Sequence, residues 1–569
     1  MQHDSELRFD LREIPFSVRG SWLNVSPVIA LHTASDDLHL VSHQNGMHAV
    51  LRFSVESGGE TVESEYSASP STVAWRTAAG VVEGSFENVD TVRVRGEGVD
   101  FRIADATAVL TPFTGAYFFE DPIDRSAVFT SYETGRRYRV TAIRGELRFD
   151  GSEALGAGAR AVIVHGSPGW EVAIEEFETA RAPYSAPADF ETVRRDAAGS
   201  FAAYAQSIAG WRSGLSPAAE LAAYVLWSAT VEPRGFLGRE SVLMSKHWMD
   251  KVWSWDHCFN ALALAAGEPS MAMDQFLAPF DHQEAAGALP DSVTHSEILY
   301  NFVKPPIHGW ALAKLRVDID LNRAALAEIY ERLSRWSLFW LDFRRVPGHD
   351  VPHYQHGNDS GWDNSTAFDY DRTLESPDLA AFLIVQLDVL ASLAEELGDD
   401  QAARWHRERD ALLRALMAEL WNGEEFIARG ALSGRESKSS SLLTLLPIVA
   451  GKFLPVEVAD KVAARIATHL TAFGPATQLP GSDEYEDDGY WRGPIWAPST
   501  ILIEDGLRRT GYLELADQVS SRFRALCELS GFAENFDAMT GAGLRDRAYT
   551  WTASAYLLLA REAERRIES

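Results

Sequence analysis

Cysteine is almost missing from this chain: there are two in 569 residues, Cys258 and Cys527, both set in apolar helical patterns. No disulfide framework can be built from them, and buried free thiols are the expected state. Positive charge is also scarce. Lys and Arg number 52 against 82 Asp and Glu, a formal net charge of −30, which argues against a nucleic-acid partner because phosphates are held by Lys and Arg. The same field disfavours an anionic substrate unless a local basic pocket overrides it. The opening, MQHDSELRFDLREIPF, has neither the basic start nor the apolar run of a secretion signal, and no window approaches membrane-spanning length, so a cytoplasmic protein without a membrane partner is expected. Zinc-type Cys/His spacing, a phosphate-cradling glycine loop and a GxSxG elbow are missing too. Neither metal nor cofactor is therefore expected.

What is present is a soluble-type composition, 46% hydrophobic and 24% charged, in a chain too long for one ordinary core. Up to about residue 180, apolar residues alternate with polar ones in short runs such as HAVLRFSV, TVAWRT and RAVIVHG. Period-two runs separated by Asn45-Gly46, Gly58-Gly59 and Thr134-Gly135 predict antiparallel strands with tight turns, most economically a β-sandwich. The Pro-rich ARAPYSAPAD marks a boundary, and residues 181–215 read as a linker with a helix capped by Asp189 and running towards Ile208. From 216 to 569 the period is 3.6 and about twelve helices follow. Ser216-Pro217 and Ser376-Pro377 look like capped starts, and Gly398 like a stop. Several segments, LIVQLDVLASL among them, are apolar around much of their circumference, which suits the inner layer of a two-layered α/α toroid. The expected class is mainly α with an N-terminal all-β domain.

The loops between these helices hold the chemistry. HGNDSGWDNSTAFDYD, from His356 to Asp371, combines four carboxylates with Trp362, and Gly357 and Gly361 break any regular period. WSWDHCF supplies Trp253, Trp255 and Asp256; KPPIHGW supplies Lys304 and His308; DGYWRGPIW supplies Tyr490, Trp491, Arg492 and Trp496; GFAENFDAMTG supplies Glu534 and Asp537. Each run taken alone is also a plausible surface turn or helix cap. Four loops that share aromatic rings with carboxylates are not expected of unrelated turns. Rings stack on the C–H faces of sugars, and two carboxyl groups across a sugar are what glycosidic cleavage requires. The acidic run 483–488 reads most simply as a solvated lip, with calcium binding the lesser alternative because EF-hand spacing is absent.

SGWDNS, WSWDHCF, YWRGPIW and AENFDAMTG resemble, in the same order, the motifs of glycoside hydrolase family 63 and its trehalase-like relatives. The resemblance implies an inverting α-glycosidase on an (α/α)6 barrel, with Asp363 as general acid and Glu534 as general base. It also implies that Asp256 binds hydroxyls of the terminal sugar, that Trp253, Tyr490, Trp491, Arg492 and Trp496 line the first subsite, and that Asp359 is a supporting carboxylate. Departures are Lys304, where many relatives have glutamine, and Ser499-Thr500, where they have asparagine. These bear on substrate identity and leave the acid and base in place.

The expected activity is exo-hydrolysis of a small neutral α-glucoside or oligosaccharide. Glucosylglycerate or mannosylglycerate hydrolysis ranks second, with Lys304 or Arg492 receiving the carboxylate. A sugar epimerase needs paired histidines that do not occur here, and a non-catalytic carbohydrate-binding protein has no use for both Asp363 and Glu534. Asp363 is expected to be protonated near neutral pH, desolvated by Trp362 and the surrounding rings and with nearby carboxylates such as Asp359 disfavouring further negative charge, and Glu534, closer to Arg492 or to solvent, to stay ionised and hold the water.

Overall fold

The computed structural model describes residues 6–29, 34–107, 115–153, 156 and 158–568; the first five residues of the opening stretch lie outside them. Two compact units are formed, one from residues 1–210, 223–251 and 294–296, the other from 211–222, 252–293 and 297–569.

Two antiparallel sheets make up most of the first unit. A seven-stranded sheet runs from Leu23–Ile29 through Ala34–Ser42, His48–Ser57, Asp100–Asp105 and Ala161–His165 to Glu146–Asp150. An eight-stranded sheet runs from Ala116–Glu120 to Glu65–Ser69, with Gly169–Phe177 and Thr91–Glu97 at its middle. The period-two pattern sets the faces: in His48–Ser57, Leu51, Phe53 and Val55 are buried while Arg52 points to solvent. Across the sandwich, Phe101 of one sheet meets Trp75 and Trp170 of the other at ring-centroid distances of 5.4 and 5.7 Å. Asn45-Gly46 turns with φ of 62° and 95°, the left-handed pair that a two-residue hairpin turn demands. Helix α1 (Phe190–Ala209), read above as a linker helix, packs on strand Val81–Asn88 within this unit. Asp189 caps it through Thr192 N at 2.7 Å.

The helices that follow are α2 (Ala219–Ala229), α3 (Asp256–Leu264), α4 (Pro269–Leu277), α5 (His308–Asp318), α6 (Arg323–Phe343), α7 (Pro377–Leu397), α8 (Ala402–Glu419), α9 (Val456–His469), α10 (Ala497–Thr510), α11 (Leu513–Ser530) and α12 (Thr550–Glu568). In the second unit, α3 packs on α5, α5 on α7, α7 on the 3₁₀ segment Leu442–Phe453, that segment on α10, α10 on α12, and α12 back on α3. This is a closed inner ring of six. Helices α4, α6, α8, α9 and α11 lie outside it, each packed against inner elements, so the chain alternates inner and outer layers. Burial follows: all nine residues of α3 are buried, but only four of the eighteen in α8, which is why the inner helices read as apolar on every side.

Three local expectations are corrected. The Ser376 hydroxyl does not cap α7; it bonds to Asp378 instead. The apolar run after Ser439, counted among the twelve expected helices, forms a 3₁₀ rather than an α-helix over Leu442–Phe453, with Pro447 inside it; a proline there cannot donate an α-helical backbone bond. Finally, α7 is long and apolar enough to cross a membrane, contrary to the reading that no window comes close, and 83% of its apolar window is buried inside the fold. Gly398 ends it as expected, at a φ of 68°.

Candidate active site

The candidate residues lie on loops that lead into inner helices of the ring. Asp256 is the first residue of α3, Lys304 precedes α5 by four residues, Tyr490–Trp496 run into α10, and Glu534 lies on the path into α12. Short backbone pairings hold these loops together. Val252–Trp253 pair with Ser292–Val293 in a three-stranded sheet, which brings Asp291 beside the WSWD loop. Ile495 and Phe536 exchange two backbone bonds, 2.7 and 3.0 Å, tying GPIW to AENF. Asn364 joins SGWDN to DGYWR: its Nδ2 donates to the Gly489 carbonyl at 3.0 Å, its Oδ1 accepts from Trp491 N at 3.0 Å, and its carbonyl accepts from Arg492 Nε at 2.8 Å. Gly361, at a φ of 71°, lies under Trp255, and a Cβ there would be 2.5 Å from the indole Cζ2. Only glycine suits both conditions.

A buried ammonium sits among carboxylates at the centre. Lys304, 6% exposed, has its Nζ 3.1 Å from Asp291 Oδ1 and donates to the Asn358 carbonyl at 2.8 Å. Burial works against its charge, but Asp363, Asp291 and Asp256 outweigh that and raise its pKa. Burial pushes Asp256 up to about 8, partly countered by Lys304 and reinforced by Asp291 and Asp363. Its Oδ2 is buried with no hydrogen-bond partner among the described residues, an acceptor left for a donor from outside. Asp363 keeps partial exposure; burial raises its pKa, Lys304 lowers it and Asp291 raises it again.

Glu534 is 3% exposed, and burial pushes it up to about 8 with help from Asp546, against Arg545 and a hydrogen bond from Tyr490. The expected setting of Glu534, near Arg492 or solvent, is corrected: it is buried, and the cation that acts on it is Arg545. Tyr490, held at a φ of 62°, bonds to Glu534 and feels the charge of both Glu534 and Asp363. Tyr549 feels Glu534, Tyr490 and Asp256. The structure therefore brings Asp256, Asp291, Lys304, Asp363, Tyr490, Glu534 and Tyr549 into one electrostatic cluster.

Other predicted site residues lie elsewhere in the packing. Trp362, Trp491 and Trp496 are each 1% exposed, and Trp255 is 2% exposed. Trp491 stacks on Trp496 at 4.0 Å and 6°, and Trp362 lies 4.7 Å from Trp491, so these rings pack on one another. Trp253 alone of the predicted tryptophans keeps partial exposure. His308 is fully buried; its Nε2 donates to the Ser254 carbonyl at 2.9 Å and its Nδ1 accepts from Trp336 Nε1 at 3.2 Å, so no ring nitrogen is left for a substrate. Burial lowers its pKa to about 4. Asp359 is engaged by Arg344 at 2.9 Å and by the backbone N–H groups of Val303 and Gln355, and supports the loop instead of charging Asp363. Arg492 pairs with Asp369 at 2.5 Å. Reading the sequence missed Asp291, Arg545, Asp546 and Tyr549; the Pro290-Asp291 step in a polar loop was a signal for the first.

A toroid whose mouth gathers carboxyl groups, phenols and one ammonium around an unsatisfied acceptor is the architecture of a glycoside hydrolase, and the family comparison agrees. Residues 249–552 match the mannosylglycerate hydrolase MGH1-like glycoside hydrolase domain, and the chain belongs to that family. The mannosylglycerate hydrolase of Rubrobacter radiotolerans is 26% identical, over 54% of this chain and 89% of that protein. Among solved structures, the family 63 mannosylglycerate hydrolase of Thermus thermophilus in complex with Tris and D-glycerate is 21% identical, covering 60% of this chain and 99% of its own, with a TM-score of 0.51. A bacterial glucoamylase complexed with acarbose is similar over 99% of this chain and 95% of its own, at 10% identity and a TM-score of 0.63. These likenesses establish an all-β domain followed by an (α/α)6-type helical domain.

Proposed function

We propose that this glycoside hydrolase cleaves an α-glycoside of glycerate, mannosylglycerate or glucosylglycerate, with inversion at the anomeric carbon. The observation that carries the reading is Tyr490, whose phenol bonds to Glu534 and also feels Asp363, so that carboxyl groups from two different loops act on one phenol. In this reading Asp363 protonates the departing oxygen of glycerate, and Glu534 takes a proton from the water that attacks the opposite face of the sugar. Asp256 accepts from a sugar hydroxyl through its unpartnered Oδ2. The sugar–glycerate choice over a plain α-glucoside is supported by the kinship with mannosylglycerate hydrolases.

The cation for the glycerate carboxylate is assigned to Arg545 in place of Lys304 or Arg492. Lys304 is committed to Asp291 and Asn358, and Arg492 to Asp369. Arg545 lies 4.9 Å over the Tyr490 ring, its Nη1 donates to Asn535 Oδ1 at 2.8 Å, and its Nη2 pairs with Asp488. Asp488 is 69% exposed, so that pair costs little to exchange. The test is a panel of mannosylglycerate, glucosylglycerate, maltose, kojibiose, nigerose, isomaltose and trehalose, with the first anomer released followed by NMR. A preference for a glycerate glycoside and release of the β-anomer support the proposal. Preference for a neutral disaccharide sinks the substrate assignment, and release of the α-anomer sinks inversion.

A further inference from the structure

A cavity of about 350 Å³ lies between α9 and the segment 436–441. None of the clustered carboxylates lines it. Its wall includes Ser440 and His469, with apolar surface from Phe426, Leu445 and Leu479. The Ser440 Oγ accepts from Gln478 Nε2 at 2.8 Å, which leaves its own O–H to donate. His469 is 4% exposed and its Nδ1 lies 2.9 Å from the Ala476 carbonyl, so Nδ1 carries the hydrogen. Burial lowers the ring's pKa to about 4, and the neutral ring therefore presents Nε2 as an acceptor with no partner among the described residues.

One free donor and one free acceptor suit a hydroxyl, which does both. Charge at this wall is balanced: Lys438 and Arg465 face Glu425 and Glu436, and Arg465 pairs with Glu425. An ionic ligand has no net field to recognise here. Apolar residues beside hydroxyl-binding groups match the mixed surface of a sugar. The wall is also joined to the loop that carries Asp363. The Ser439 hydroxyl lies 2.5 Å from that of Thr366, Ser365 donates to Ser441 at 3.0 Å, and Thr366 donates to Gln478 Oε1 at 2.8 Å.

We propose that this cavity is a second, non-catalytic site for a small uncharged polyhydroxylated ligand, a mono- or disaccharide, bound through Ser440 and His469 and backed by the hydroxyl network that anchors residues 365–366. Crystals of the full chain soaked in D-glucose, with D-glycerate as the charged control, test it together with calorimetric titration of D-glucose into the wild-type, S440F and S440A proteins. Glucose density in contact with Ser440 and His469, two binding events in the wild type, and loss of one of them in both variants are the expected results. S440F fills the cavity; S440A removes only the donor and keeps the test open if the larger side chain impairs folding. Glucose found only beside Asp363 and Glu534, a wild-type titration in S440A, or glycerate bound in the cavity in preference to glucose would each overturn the proposal. None of these readouts requires turnover, so they stand apart from the test of the proposed reaction.

Discussion

Lys304 and Asp291 form a buried ion pair, 3.1 Å between Nζ and Oδ1, in which the ammonium also holds the Asn358 carbonyl of the turn leading to Asp363. One cation thus both shapes the Asp363 loop and sets its charge balance. Replacing Lys304 with Met removes the group that favours ionised Asp363 and leaves Asp291 unopposed, so Asp363 should keep its proton to higher pH. The alkaline limb of kcat/KM should move up by about 1 to 3 pH units, the usual effect of a nearby opposite charge, with a lower kcat. K304M/D291N, which removes both charges, should bring the limb back towards the wild-type position. A limb that does not move in K304M would deny Lys304 that electrostatic role.

If Glu534 must be ionised to take a proton from water, a pKa raised to about 8 places the acid limb of kcat/KM on the alkaline side of neutrality. Activity should rise between pH 6 and 8. E534Q and D363N should each lose at least about 10²- to 10⁴-fold in kcat, the range for a general acid or base. Near-normal turnover in either variant removes that residue from the reaction.

The same groups predict an unusual stability profile. Asp256 and Glu534 hold protons in the folded state up to about pH 8, whereas their unfolded counterparts release them near pH 4. Between those values the folded state binds more protons, so stability falls as pH rises, by at most about 1.4 kcal/mol per pH unit for each group. D256N and E534Q should therefore melt above the wild type at pH 8, with the gap closing at pH 5. Scanning fluorimetry at the two pH values decides this; a gap that widens towards pH 5 contradicts it.

Two glycines with similar φ separate backbone strain from contact. Gly398 ends α7 at 68° with open space around its Cβ direction, while Gly361 at 71° faces Trp255. G398A should lose only about 1 kcal/mol, the cost of a left-handed alanine. G361A adds a clash with a buried indole and should lower both Tm and activity well beyond that. Equal effects in the two variants would show that Trp255 yields freely.

The sequence alone determined the local elements. Alternation in runs such as HAVLRFSV, the left-handed pair Asn45-Gly46, the Asp189 cap and the Gly398 stop are written in neighbouring residues, because backbone preference and amphipathic period act over a few positions. The motif residues Asp256, Asp363, Tyr490 and Glu534 were legible for the same reason: aromatic rings and carboxyl groups crowd into short Gly-containing loops. Tertiary structure alone decided which faces are free and which charges meet. Trp362 and Trp491 stand well over a hundred positions apart, yet they cover one another, and nothing local distinguishes a tryptophan buried against another ring from one left open. Asp291 became a partner of Lys304 only when a two-residue strand at 292–293 paired beside Trp253. Glu534 acquired its high pKa first from burial, since desolvation depends on everything packed around a group, and then from Asp546, which the short hairpin pairing Asn535–Phe536 with Gly543–Leu544 sets beside it.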